Sequence, residues 1–437
     1  MAREQETDAG GPSPPPRRFR LGGVVIDTAP LRYVPFRRLW MTGIVTAVGS
    51  QLTAVAVPKQ IYDLTGSSAM VGVSGAVALV PLIVFGLWGG AIADAVDRRQ
   101  LLFWSNAGIA ATSLLLAVQS FAGNRSVLIV FVLLALQQAL FGINQPTRSA
   151  AIARLVPLTE IPSANALMST VLQFGLIAGP LLAGALIPVL GVPLLYAIDT
   201  VGLTVMLWSI WRLPAIPPVA GQRSRTGIGP ILDGFRYLAP RGVLLVSFLA
   251  DLIAMIFGMP RALFPQLAAT TFSGAGSGVA PGLLYAAIPI GSFAGGLFSG
   301  TFVRRRRAGV VVAFAVGGWG AAIVAFGLSR SLWEAAAFLA LAGVADLISM
   351  VLRGAILQQA AVDEMRGRMQ GVFTVVVAGG PRLADLLHGV LGAAIGTRAT
   401  IAGGGILVIV LLAAVLVAFP AFWHYRAPVG DAATGVE

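Results

Sequence analysis

A set of ionisable side chains stands inside long apolar runs of this sequence: Asp199, Asp251, Arg261, Asp346, Arg353, Arg382, Asp385 and His388. A charge in hydrocarbon is costly, so each is first read as a group that handles protons, ions or substrate. Asp251 lies about a third of the way into its run, near the depth of a substrate cavity, and reads as a proton-coupling or substrate-binding acid. Asp346 and Arg353 are two helical turns apart on one face. They can pair through water or with partners on other helices. Arg382-x-x-Asp385-x-x-His388 is the densest polar stripe. Its i, i+3 spacing is expected to put all three nearly on one face. A carboxylate between two cationic groups can exchange protons while its desolvation is offset. The stripe reads as cavity surface facing substrate, with a fixed structural salt bridge as the alternative.

Other chemistries lack their residues. No nucleophile stands at a spacing that would make Asp385 and His388 catalytic, so enzyme function is not expected. With Cys 0 and His 2, thiol chemistry and a histidine metal centre are not expected either. Gly403-Gly404-Gly405 lacks the Lys-Ser/Thr of a phosphate loop, which argues against direct use of ATP. No cofactor is called for. The net charge of +12 resembles a nucleic-acid signal, but the positive residues fall mainly in short loops on one side of the chain's apolar runs, as membrane topology requires. Nucleic acid is therefore not an expected partner.

These residues must be positioned by membrane-spanning elements. Hydrophobic residues make up 57% of the chain, charged residues 11%, and mean hydropathy is +0.85. In lipid every backbone N–H and C=O must pair within the chain. The runs are continuous and near helix-spanning length, so helices rather than a barrel are expected. The spans are placed at 36–60, 70–93, 99–120, 126–150, 163–190, 192–213, 242–268, 279–302, 308–328, 331–360, 368–396 and 400–421. The expected architecture is an all-α integral membrane protein, with twelve transmembrane helices in two pseudo-symmetric six-helix bundles. Residues 1–30 read as a disordered cytoplasmic tail without a cleavable signal. Residues 31–213 form the first bundle, 214–241 a polar cytoplasmic linker, 242–421 the second bundle and 422–437 a second tail. Arg37, Arg38, Arg98, Arg99, Arg154, Arg212, Arg223, Arg225, Arg236, Arg241, Arg304–Arg307, Arg366 and Arg368 fall on one side. The other side collects Lys59, Arg125, Arg330 and Arg398. That bias puts both termini in the cytoplasm.

The halves echo each other. Gly175-Leu-Ile-Ala-Gly179-Pro180 lies in the fifth span and Gly379-Gly380-Pro381 in the eleventh. The second span ends in Gly90-Ala-Ile-Ala-Asp94-Ala-Val-Asp97-Arg98-Arg99, and the eighth in Gly296-Leu-Phe-Ser-Gly300-Thr-Phe-Val-Arg304-Arg305. Repeated halves are a transporter signature, with the substrate site between them.

Gly90-x-x-x-Asp94-x-x-x-Arg98-Arg99 resembles the loop between spans two and three of the major facilitator superfamily. Asp97 stands where that family usually has Gly. Gly175-x-x-x-Gly179-Pro180-x-x-x-Gly184 resembles the fifth-span motif of its antiporters, which implies outward exchange against protons. Val55-Ala-Val-Pro58-x-Gln60-Ile, Leu284-Tyr285-Ala-Ala-Ile-Pro289-Ile-Gly291 and Gly367-Arg368-Met369-Gln370-Gly371 most resemble the enterobactin exporter group. The resemblance covers residues 30–420.

Asp94 sits at a helix C-terminus, where the dipole disfavours a carboxylate. It is expected to pair with Arg98 or with the helix that begins the second bundle, latching the halves in the outward-open state. Arg99 and Arg98 also suit anionic lipid heads. Asp97 is an alternative partner for Arg154, and Arg148 is expected at the cytoplasmic gate. Gly175, Gly179 and Gly184 make a small-residue groove for a neighbouring helix, and Pro180 bends the span. The function implied is proton-coupled export of a siderophore or similar bulky amphiphile by a monomer in the bacterial inner membrane. Its partners are a small-molecule substrate, protons and the lipid bilayer. The alternatives are a broad multidrug/proton antiporter and an uncoupled facilitator.

Overall fold

The computed structural model describes residues 18–21, 24–218, 228–275, 279–297, 307–360 and 363–425. Helices α1 (Val34–Thr65), α2 (Ser68–Ala95), α3 (Arg98–Phe121), α4 (Val127–Leu155) and α5 (Ile161–Trp211) build the first half. Gly66, at φ 62°, ends α1, with its N–H on the Tyr62 carbonyl. Helix α5 is broken within its length. At Gly191 the backbone turns to φ 71°, ψ 171°, a region essentially restricted to glycine. The two arms then run in opposite directions. Ala47 and Gln51 of α1 meet Gly175 and Gly179, rising together, whereas Val45 and Gly49 meet Gly202 and Asp199, in falling order. The first arm is therefore parallel to α1 and the second antiparallel, which makes α5 spans five and six.

The second half contains α7 (Gly242–Phe257), α8 (Phe264–Thr270), α9 (Val279–Leu297), α10 (Ala308–Leu328), α11 (Leu332–Ala360), α12 (Asp363–Ile395) and α13 (Thr397–Ala418). A last short turn, α14 (Pro420–Trp423), follows. Ten described stretches are long and apolar enough to cross a membrane. One of them, Leu158–Trp211, contains two crossings. The 33-residue α12 is long enough but carries Asp363, Glu364, Arg366, Arg368, Arg382 and Asp385. Counting both gives twelve crossings among the described residues.

Three expectations need correction. The seventh span is not one helix over 242–268: α7 stops at Phe257, a short 3₁₀ turn covers Arg261–Leu263, and α8 resumes. Gly258 and Pro260 explain the break, since proline lacks the N–H needed to continue the ladder. The linker is not simply polar, because α6 (Ile228–Leu238) forms within it and buries Leu238 in the second-half core. The first 30 residues are not structureless throughout: Arg18–Leu21 and Val24–Asp27 pair as an antiparallel hairpin.

Packing repeats between halves. Gly89 of α2 lies on Ile143 of α4, and Gly295 of α9 lies on Val344 of α11. Gly179 packs on Gln51 of α1, and Gly380 on Met255 of α7. Each contact recurs six spans later, so the duplication seen in sequence is a duplication of helix packing. Small residues allow it, because in lipid the helices associate by close contact rather than by hydrophobic exclusion.

The halves meet unevenly. One apolar cluster joins first-half residues such as Leu52, Ile61 and Leu195 to Ala262 and Tyr285 of the second half. It lies at the face opposite the arginine-rich one. The first-half cluster nearer the arginine-rich face, from Phe36 and Leu39 to Ile216, contains no second-half residue. Among the described residues, cross-half hydrogen bonds are likewise confined to the Ser68 hydroxyl on the Gly389 carbonyl and Arg382 on Gln138. Among the described residues, the apolar contacts between the halves gather at the face opposite the arginine-rich one.

Candidate functional site

The most fully buried ion pair among the described residues lies in the second half. Arg353 of α11 forms an ion pair with Asp251 of α7, and both side chains are almost wholly buried (5% and 2% exposed). The Arg353 Nε–H also donates to the Ser349 carbonyl at 3.3 Å. Asp346, two turns earlier on α11, lies within electrostatic reach of both Arg353 and Asp251. Arg353 therefore takes its main partner from another helix. Two carboxylates share one guanidinium, so the group carries one unbalanced negative charge when all three are ionised.

A second cluster lies on the seam between halves. Arg261, in the 3₁₀ turn of the broken seventh span, faces Asp385 of α12 at 3.4 Å. The Tyr285 hydroxyl donates to the Arg261 carbonyl at 3.2 Å. Arg382 reaches across to Gln138 of α4 at 3.4 Å. Gly75 of α2 is the space that allows this: a Cβ there would lie 2.7 Å from the Arg382 carbonyl and 2.8 Å from Asp385 Cβ. His388 turns elsewhere, between the carbonyls of Ala384 (3.0 Å) and Phe257 (3.1 Å). The expected single face thus does not form. Residues three apart on an α-helix differ by about 60° around its axis, so His388 is turned by about 120° from Arg382. A neutral imidazole has one N–H for these two carbonyls, whereas an imidazolium has two.

The loop between α2 and α3 is tied to its own half. Asp97 caps α3: its Oδ1 accepts the N–H of Arg99 at 2.8 Å and that of Ile216 at 3.2 Å. The Arg98 N–H donates to the Ile216 carbonyl at 3.0 Å, and the Arg99 guanidinium to the Trp211 carbonyl. Asp97 is therefore occupied as a helix cap, and the contact with Arg154 weighed from sequence is not made. An acid at 97, where the resembling family has Gly, clamps the end of span six to the start of span three. Gly90 has open space around it. The Asp94 side chain, Gly300, Arg304 and Arg305 lie outside the described residues.

The fifth-span glycines do form a groove, but for two helices. Gly175 and Gly179 admit α1 at Ala47 and Gln51, while Gly184 and the Pro180 carbonyl meet Gly282 of α9 in the other half. Arg148 of α4 lies beside Gly43 of α1, and its Nη2 is 3.8 Å from the Met168 sulfur of α5.

With this geometry in place, the comparisons are decisive about family. A model of the transmembrane secretion effector family matches residues 26–429. The chain belongs to the transmembrane secretion effector family. It is similar to the enterobactin exporter EntS of Citrobacter koseri, with 28% identity over 91% of this chain and 95% of that protein. It is 30% identical to the enterobactin exporter EntS of Shigella boydii, over 87% of this chain and 92% of that protein. Solved structures share the fold. One is a bacterial homologue of the human lysosomal transporter Spinster in an inward-facing, unoccupied conformation (TM-score 0.67, 15% identity, 91% of this chain and 97% of that one). Another is the nucleoside transporter NupG (TM-score 0.65, 14% identity, 90% and 99%). This secretion effector is a multi-pass membrane transport protein of the major facilitator type and not an enzyme.

Sequence reading named Asp199 among the charges in the apolar runs but assigned it no role. In this family member it is buried (1% exposed) at the centre of the first half. Its Oδ2 accepts the hydroxyls of Thr53 (2.7 Å) and Ser113 (2.8 Å), and Gln137 donates to Ser113 at 3.0 Å. The signal that pointed to this network was the acid itself in an apolar span. The pairing of Arg261 with Asp385 had no comparable signal, because it depends on the break in span seven.

Proposed function

We propose that this transporter exports a siderophore or a similarly bulky amphiphile, exchanging it for protons by alternating access. The observation that carries the coupling is the buried Asp251–Arg353–Asp346 group. With one guanidinium for two carboxylates, one acid has its charge offset and the second takes up a proton to remain buried. Opening the group to one face and then the other would load and release that proton. The arginine-rich face is assigned to the cytoplasm by its charge excess, so both termini lie inside, and the described apolar contacts between the halves lie at the outer face, as an inward-open state requires. A proton moving inward then gains roughly 2.3 kcal/mol per 100 mV of membrane potential. The enterobactin exporters among its relatives support a siderophore as cargo.

The test is transport in sealed proteoliposomes under an imposed pH gradient, comparing a catecholate siderophore, a hydroxamate siderophore and a cationic drug. Siderophore accumulation that follows the gradient is expected. Asp346→Asn, which removes the acid that Arg353 does not pair with directly, should abolish the gradient dependence. Equal gradient-driven transport of the cationic drug would favour a multidrug antiporter, and unchanged transport by Asp346→Asn would refute coupling through this acid.

A further inference from the structure

Arg148 is a cation in the bundle interior that forms no ion pair among the described residues. It lies seven residues before the end of α4, and Met168 seven residues after the start of α5. Gly43 lies nine residues after the start of α1. At 1.5 Å per residue, all three place the guanidinium about 10 Å in from the arginine-rich face. Every other arginine or lysine at comparable depth among the described residues is matched: Arg353 with Asp251, Arg261 with Asp385, and Arg382 with Gln138 and the nearby Asp385. Arg148 Nη2 lies 3.8 Å from the Met168 sulfur and beside Gly43, and among the described residues no carboxylate forms an ion pair with it.

A guanidinium offers five N–H donors in a planar fork and does not lose its proton in proteins. Held at this depth it must find water or an anion. The side chain keeps part of its surface accessible, while its helix neighbours Thr147 and Ala151 are fully buried. It extends toward α1 and α5 at the end of the first half whose apolar cluster contains no described second-half residue. Gly43 helps to make the space: a Cβ there would lie 3.0 Å from Arg148 Nη2.

We infer that Arg148 is the anion-recognition point of the transport cavity, and that the exported molecule carries an acidic group, of carboxylate or catecholate type, which docks on this guanidinium in the inward-open state. This rests on the export reading and narrows its substrate class to anions.

The test uses the purified full chain and 2,3-dihydroxybenzoate as the anionic probe, with a neutral trihydroxamate as the control ligand. Arg148→Gln is expected to weaken binding of the anion roughly 10- to 100-fold, the scale of losing a hydrogen bond to a charged group. It should leave the hydroxamate within about twofold of the parent. Arg148→Lys should fall between, since it keeps the charge but not the fork. Met168→Glu supplies an internal counter-ion beside an intact Arg148 and should weaken anion binding equally, which keeps the inference testable if Arg148→Gln does not fold. Unchanged anion affinity in Arg148→Gln or Met168→Glu would overturn it, as would a parent protein that does not bind the probe. If binding depends on Arg148 but vesicles export no siderophore, the anion site stands and the export reading falls. If siderophore is exported by parent and Arg148→Gln with equal affinity, the reverse holds.

Discussion

Gly282→Ala should shift the protein toward the state open at the face opposite the arginine-rich one. A Cβ on Gly282 would lie 2.5 Å from Gly184 Cα and 2.6 Å from the Pro180 carbonyl. Ordinary van der Waals contact begins about 1 Å further out. Both neighbours are backbone of α5, so no side chain can swing aside, and the two helices must separate. Overpacking of this kind costs about 1–3 kcal/mol. The gain in helix propensity from glycine to alanine acts on both conformations alike and cancels. Only the closed seam bears the clash, so its equilibrium with the open state should move roughly 5- to 150-fold. The chain has Cys 0, and Ser68 is 1% exposed on the same sealed side, with its hydroxyl on the Gly389 carbonyl. The thiol of a Ser68→Cys variant is therefore a reporter that labels only when the seam opens. Labelling by a polar maleimide in the Gly282→Ala background should accelerate by the same 5- to 150-fold. Gly403→Ala, where a Cβ meets nothing within 4 Å, is the control and should leave the rate unchanged. Equal labelling rates with and without Gly282→Ala would refute the idea that this contact belongs to one state alone.

Two other perturbations test local arguments. Gly191→Ala forces a side chain into φ 71°, ψ 171°. It should cost about 1–3 kcal/mol, lowering the yield of folded protein on size-exclusion chromatography. Thr53→Val removes one of two donors to a buried carboxylate. It should lower stability by about 1.5–3 kcal/mol in thermal melts. Asp199→Asn keeps both acceptor contacts and should be milder.

The class and most of the architecture were legible in the residue order. Backbone polar groups in lipid must pair locally, so continuous apolar runs leave helices as the economical solution, and their number follows from length. The repeated Gly-Pro pattern, and the Gly and Arg-Arg positions shared by the ends of spans two and eight, exposed the duplication, because close helix packing in a bilayer selects small residues at fixed positions. The break in span seven was visible as Gly258 and Pro260 but was absorbed into a long apolar run. The pairing of charges was not legible. Asp251 and Arg353 are far apart in sequence, as are Arg261 and Asp385, and helical periodicity speaks only of neighbours within one helix. The same limit misplaced His388, whose direction depends on the Phe257 carbonyl at the end of α7. It also hid the isolation of Arg148, since only the folded bundle decides which acids come near. Local rules set where helices begin and end. Tertiary packing alone decided which buried charges are balanced and which remains open to a ligand.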